Sequence, residues 1–266
     1  MDRRKLERII LIILALLNVF LLSVVVSDSA EARRNAAETV ASVTALLEEN
    51  GIAVADGAIH LQSAPAPCTL ARDLQKEGER LRKIIGSFAQ EDEGGNIYFY
   101  RGEKGQALLR GSGEMDVVLT NSSIPLRGGQ TRTAQKALRR MGVAAVSVSE
   151  DGGDFYCTLD GVPVYNAVLH FDYTPSNLLA VTGTWLFELA GKDTEAAGMD
   201  SVSVLLRFME IVRSEGYICS RLDSVRPGYL MTVTRSGEAE LAPVWRIETD
   251  AGPLMIDAET GRLRVD

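Results

Sequence analysis

The sequence predicts an α+β fold: an N-terminal transmembrane helix followed by an ectodomain of repeated helix-on-antiparallel-sheet units. Three observations carry that expectation. A near-unbroken apolar run opens the chain, glycine-ended helical stripes recur behind it, and each stripe is followed by short segments with period-two alternation. The 266 residues are 46% hydrophobic and 24% charged, ordinary globular composition with enough length for one large domain or several small ones. Net charge is −8, and the first eight residues are themselves net positive, so the remainder is more acidic still. That balance argues against nucleic acid or an anionic wall polymer as ligand.

The apolar run is Ile9 to Val26, IILIILALLNVFLLSVVV, directly behind MDRRKLER. As a helix at ~1.5 Å per residue it measures roughly 27 Å, close to the hydrocarbon thickness of a bilayer. Arg3, Arg4, Lys5 and Arg8 precede it, so the positive-inside tendency puts residues 1–8 in the cytoplasm and everything after Ser27 outside, despite Arg33 and Arg34. The expectation is a single-pass cell-membrane protein with its C-terminal domain extracytoplasmic. Ala30-Glu31-Ala32 also has the small-x-small pattern of a signal-peptide cleavage site, but the run exceeds the usual apolar core of such peptides, which favours a retained anchor. Within the span, Leu11, Ala15, Asn18, Leu22 and Val25 follow heptad-like spacing, and an amide in hydrocarbon prefers a partner helix that hydrogen-bonds it. These five residues are the candidate partner-helix contact. The plain alternative is a single tolerated Asn.

Residues 27–129 form a membrane-proximal α+β region. Ala36 to Asn50 carries Val40, Val43 and Leu47 at helical spacing and ends at Gly51. Ala64-Pro65-Ala66-Pro67 breaks the pattern. A second helix follows, with Leu74, Leu81, Ile84, Ile85 and Phe88 as its stripe. Gly94-Gly95 marks a turn into a strand over Asn96 to Tyr100, Arg101 to Gly105 a hairpin loop, and Gln106 to Arg110 and Glu114 to Thr120 complete a small antiparallel sheet.

Residues 130–190 and 191–266 repeat one plan. Ala134, Ala137, Leu138 and Met141 form a stripe ended by Gly142; Val202, Leu205, Leu206, Met209 and Val212 form another, ended near Gly216. Short strands follow, then Pro163-Val164-Tyr165-Asn166 in one copy and Pro243-Val244-Trp245-Arg246 in the other. Alternation puts Tyr165, Ala167, Leu169 and Phe171 on one face with Asn166, His170 and Asp172 on the other. It likewise sends Trp245 and Ile247 inward and Arg246, Glu248 and Asp250 outward. Tyr165 and Trp245 are thus predicted at equivalent buried positions, the structural anchors of the repeat, each under a helix. Gly51-Ile52 is a candidate start of a degenerate third copy.

Chemistry-bearing patterns are sparse. Cys68, Cys157 and Cys219 are far apart and read as free or partly buried thiols. His60 and His170 sit in no HExxH pattern and read as surface or packing residues. The glycine-rich stretch Gly105 to Gly113 lacks the Lys-Ser/Thr of a phosphate loop, and no GxSxG or SxxK element is present. Glu91-Asp92-Glu93 and Glu238-Ala239-Glu240 read as solvated turns. No catalytic residue, metal, cofactor or small-molecule substrate is predicted.

The opening MDRRKLERIILIILALLNVFLL and the ending LAPVWRIETDAGPLMIDAETGRLRVD resemble the YycI family. These are relatives of YycH that serve as accessory membrane proteins of the WalK/WalR two-component system in Gram-positive bacteria. The Pro-Val-Trp-Arg-Ile strand before Asp257-Ala258-Glu259-Thr260-Gly261 also looks like the terminal hairpin of PepSY-type modules, in which Thr-Gly makes the turn. The resemblance implies a non-enzymatic protein that contacts a WalK-like sensor histidine kinase, together with a YycH-like partner, and sets kinase output for cell-wall homeostasis. Residues 65–129 carry least of it. Two other function classes remain in play: an extracytoplasmic PepSY-like binding or protease-inhibitory module, and a wall-active enzyme.

Overall fold

The computed structural model describes residues 34–120, 123–148, 152–193, 198–214, 216–234 and 237–264. The predicted span, with Leu11, Ala15, Asn18, Leu22 and Val25, lies outside them. Among the described residues no helix is long and apolar enough to cross a membrane.

The protein is α+β; the described residues form four helices on a large, mainly antiparallel sheet. One half comprises α2 (Leu74–Ile85) and α3 (Gln130–Met141) with eight strands. These are β3 (Phe88–Gly94), β4 (Ile97–Gly102), β5 (Gly105–Leu109), β6 (Glu114–Leu119), β7 (Ala145–Ser147), β8 (Asp154–Leu159), β9 (Val162–Tyr173) and β10 (Leu178–Thr184). The other half comprises α1 (34–49) and α4 (Ser201–Ser214) with β1 (Ala53–Val54), β12 (Arg221–Val233), β13 (Ala239–Thr249), β14 (Gly252–Asp257) and β15 (Leu263–Arg264). Two further strands, β2 (Cys68–Ala71) and β11 (Glu188–Lys192), extend the sheet beyond β13.

Each helix pair closes its own core. Leu81, Ile84 and Ile85 of α2 and Ala134, Ala137, Leu138 and Met141 of α3 pack on Tyr100, Val117, Phe155 and Leu169. Val43 and Leu47 of α1 and Val204, Leu205, Phe208 and Ile211 of α4 pack on Trp245, Ile247 and Ile256. The β12–β13 hairpin joins the two. Tyr229, Met231, Ala239 and Leu241 near its tip belong to the first core, and Val225, Trp245 and Ile247 near its base to the second. From Val225 onward odd-numbered residues supply both sets, so one face of a single long hairpin lines two cores by period-two alternation, and Leu222 joins the second core from beyond a bulge.

Several sequence expectations appear as drawn. Helix α1 ends with Gly51 N–H donating to Glu48 O and Ile52 N–H to Leu47 O; α3 ends with Gly142 donating to Arg139 O and Val143 to Leu138 O. Both are Schellman caps, and Gly51 and Gly142 take the left-handed φ that this ending needs, +80° and +71°. The hairpin expected over Arg101 to Gly105 is present with its loop narrowed to Glu103-Lys104, and the Gly94-Gly95 turn is present but takes in Asn96 (φ +64°), so the strand begins at Ile97.

Other expectations are corrected. Phe88 is the first residue of β3, because the chain leaves the helix at Gly86 (φ +80°). The buried stripe of α4 is Val204, Leu205, Phe208, Met209 and Ile211, while Leu206 is exposed. Asp200, whose carboxylate accepts from Ser203 N–H, sets the start of that helix. The helix and small antiparallel sheet expected within residues 65–129 are present as α2 and β4 to β6, with β3 as an added strand. The described part of residues 27–129 is moreover divided between the halves: α1 and β1 join the second core, with β1 parallel to β12, and α2 to β6 join the first.

Candidate binding cleft

Tyr165 and Trp245 are both buried on the middle strand of a meander that follows a helix, but they face different surroundings. Trp245 is fully buried beneath α1 and α4, and its Nε1–H donates to Met199 O (2.9 Å) just ahead of α4. Tyr165 does not join Ala167, Leu169 and Phe171 in the core under α3. It packs on Val244 and Met255, on the far face of β13. The cause is a β-bulge: Tyr156 pairs with Val168, yet Thr158 pairs with Pro163 rather than Asn166, so β9 bends and its alternation resets. Beyond the bend β9 turns to β12, with Val164 opposite Tyr229 in a parallel bridge. Gly228 leaves room for the Tyr165 ring, since any Cβ there would collide with it.

This crossing builds a cleft of about 320 Å³ between β7–β8–β9 and β12–β13. Its floor is an aromatic and cationic stack. The Tyr156 and Tyr165 rings meet edge to face with centroids 5.5 Å apart. The Arg246 guanidinium carbon lies 5.1 Å from the Tyr165 centroid and 5.6 Å from that of Tyr156, within range of cation–π attraction. Arg246 Nη1 donates to Tyr156 Oη (2.6 Å), and Nε sits 2.6 Å from Glu248 Oε1. The Tyr165 hydroxyl donates to Pro227 O (3.3 Å), and burial pushes its pKa up to about 12, with Arg246 and Arg226 pulling the other way. Arg226, exposed, stands directly across the strand pair from Arg246, and Ser224 stands across from Glu248. Val146 and Val148, both exposed, form an apolar wall.

A second cavity, about 490 Å³, lies between β2, β11, β13 and the β14–β15 turn. Three of its charged side chains, Asp257, Arg264 and Lys192, are occupied by structure. Asp257, buried, accepts from Glu259 N–H, Thr260 N–H, Thr260 Oγ1 and Arg264, closing the turn at Gly261 (φ +69°). Burial raises the Asp257 pKa, but the bonds from Thr260 and Arg264 outweigh it and hold the carboxyl below its ordinary value. Lys192 pairs with Asp160 at 3.3 Å.

The remaining candidate residues are dispersed. His60 is exposed, and His170, also exposed, meets Asp154 with Nδ1 2.7 Å from Oδ1. Cys68, Cys157 and Cys219 are free thiols; burial pushes Cys157 up to about 12, so it stays protonated and unreactive. Among the described residues no group of three His, Cys, Asp or Glu side chains is placed to hold a metal. Arg246 and Glu248 were legible as outward-facing. Their pairing with Arg226 and Tyr156 was not, because it depends on hairpin register and on the bulge.

No protein family and no curated protein matches the chain. Among solved structures, a crystal structure of an uncharacterized protein from Eubacterium rectale superposes with a TM-score of 0.47 at 10% identity, covering 81% of this chain and 90% of that one. The YpeB C-terminal domain of Bacillus megaterium superposes with a TM-score of 0.34 at 8% identity, covering 74% and 96%. Both likenesses are too distant to carry a functional argument.

Proposed function

We propose that this chain is a single-pass, membrane-anchored, non-enzymatic accessory regulator of a WalK-like sensor histidine kinase in cell-wall homeostasis, acting with a YycH-like partner through transmembrane and ectodomain contacts. The observation that carries the reading is the opening of the chain: a short basic arm, an apolar run of spanning length and Asn18 at its centre. The YycI-like residues at both ends of the chain point the same way. The cleft adds an ectodomain surface rich in Arg and Tyr, residue types enriched where proteins bind one another.

Helix association in lipid draws its specificity from packing and polar groups. Asn18→Leu should therefore weaken association with the kinase by about 0.6 to 2 kcal/mol, roughly 3- to 30-fold, with membrane insertion intact. Co-purification from membranes with the cognate kinase measures this, with Ile13→Leu as the control. Equal recovery of wild type and both variants would remove Asn18 from the mechanism.

A PepSY-like binding or protease-inhibitory module is the second reading, favoured by the Asp257-capped turn at Thr260-Gly261. Replacing Ile9 to Val26 by an unrelated span discriminates the two: a regulator acting through helix contacts loses function, whereas a tethered inhibitor keeps it.

A further inference from the structure

We infer that the cleft between β7–β8–β9 and β12–β13 binds a peptide carboxylate, with Arg226 as the guanidinium that receives it. The inference rests on treating this cleft as a binding surface and does not depend on which kinase the chain accompanies.

The starting point is an electrostatic imbalance. Arg226 and Arg246 are directly opposite on adjacent antiparallel strands and both face the cleft. Like charges in that relation destabilise a sheet unless something neutralises them. Among the described residues Glu248 is the one carboxylate lining the cleft, and it is held by Arg246. Among the described residues Arg226 has no ion-pair partner. The described lining of the cleft therefore carries one uncompensated positive charge, in a chain whose overall charge is −8. Composition alone would not place it there.

The surroundings specify what neutralises that charge. A single net positive charge matches a monoanion better than a phosphate dianion. Guanidinium offers a planar donor fork that fits carboxylate in bidentate fashion, and Arg246 is locked in place by Tyr156, Tyr165 and Glu248 so that its field is fixed in advance. Beside the charge stand exposed Val146 and Val148 and the ring of Pro163. A ligand that presents an apolar side chain next to its carboxylate satisfies both walls. The cleft, about 320 Å³, lies at the small end of ligand pockets, which suits one or two residues at the end of an extended peptide. The same chemistry is available from a chain terminus or from an Asp or Glu side chain, and the test separates these sources.

The full chain in detergent is titrated calorimetrically with acetyl-Ala-Ala-Phe bearing a free C-terminal carboxylate, with the same peptide as its amide, and with acetyl-Ala-Glu-Phe-amide. At least one carboxylate peptide should bind tenfold or more tightly than acetyl-Ala-Ala-Phe-amide, and which one identifies the source. Arg226→Gln should abolish that advantage without lowering the melting temperature of the unliganded protein, since it removes a like-charge pair, and Val146→Glu, which supplies a carboxylate within the cleft, should weaken binding to a similar degree. Arg101→Gln, on the exposed part of β4, should change nothing. Equal affinity for acid and amide peptides overturns the inference, as does unchanged binding in Arg226→Gln. Inorganic phosphate displacing the peptide better than acetate does overturns the monoanion argument. Peptide binding that survives while kinase co-purification fails would sink the regulator reading alone.

Discussion

The two halves of the molecule seat their helices by opposite means. In the first, α2 is pegged to the sheet by a buried polar cluster. Glu77, 4% exposed, receives Arg72 in a bidentate pair with both bonds 2.8 Å, and Tyr100 donates to the same carboxylate at 2.6 Å. Arg72 also donates to the Asn96 carbonyl at 2.6 Å, so the peg reaches from helix to β-turn. In the second half, α4 rests on the indole of Trp245 among Val204, Leu205, Phe208 and Ile247. Both arrangements fix a helix, but they fail differently. An aromatic plug contributes through area and packing, so truncation leaves a cavity. A buried ion pair contributes little net stability, because desolvation offsets attraction, yet removing one partner strands the other.

The largest expected effect is on the aromatic side. Trp245→Ala should cost about 3 to 5 kcal/mol for the cavity, with roughly 1 more for the lost bond to Met199 O. Chemical denaturation at constant slope measures it. A loss under about 1 kcal/mol would mean that the α4 half collapses to fill the hole. Glu77→Ala should cost about 3 to 5 kcal/mol, because Arg72 and the Tyr100 hydroxyl are left buried without their acceptor. The comparison breaks on the triple variant. If the peg is ionic and replaceable, Arg72→Met and Glu77→Leu combined with Tyr100→Phe, which removes the third buried polar partner, should recover most of that loss, whereas no polar pair at Trp245 would.

A smaller effect is expected where the halves meet. At Gly228 a methyl group would displace the Tyr165 ring, so Gly228→Ala should cost about 1 to 3 kcal/mol through overpacking. It should also disturb the Arg246 stack, which near-ultraviolet circular dichroism of the tyrosines reports. An unchanged tyrosine signal would show that the ring is not pinned by the bare strand beneath it.

The sequence made the local parts of this architecture legible and hid the parts that depend on register. Glycine-ended stripes located α1 and α3, because a Schellman cap is written in consecutive residues. The face of α4 was misjudged by one rotation, since Val202 and Leu206 are as apolar as Val204 and Phe208, and tertiary contact decides between them. Tyr165 was placed in the wrong core because a bulge in β9 resets alternation and leaves no mark of its own in composition. The cleft was half visible: outward Arg246 and Glu248 follow from alternation, whereas Arg226 enters only once β12 and β13 are paired residue by residue.

The smallest expected effect concerns acid. Asp250, just beyond β13, accepts from Ser220 N–H at 2.9 Å, from Arg221 N–H at 3.1 Å and from the Ser220 hydroxyl, tying the start of β12 to the end of its partner. These bonds, led by the Ser220 hydroxyl, lower its pKa to about 2. A depressed carboxyl contributes stability that is present above its unfolded pKa and lost as pH falls through the folded one, so the loss belongs between about pH 4 and pH 2. Asp250 is fully exposed, so the effect is local fraying, not global unfolding. Amide exchange of Ser220 and Arg221 should accelerate across that window in the wild type. In Asp250→Asn it should be fast already at pH 5 and change little on acidification beyond the intrinsic pH dependence of exchange. Glu77, deep in the other half, is the contrast, because exchange in α2 should not follow the Asp250 titration. Parallel acceleration in both places would show that acid acts on the whole sheet and would erase the distinction between the halves.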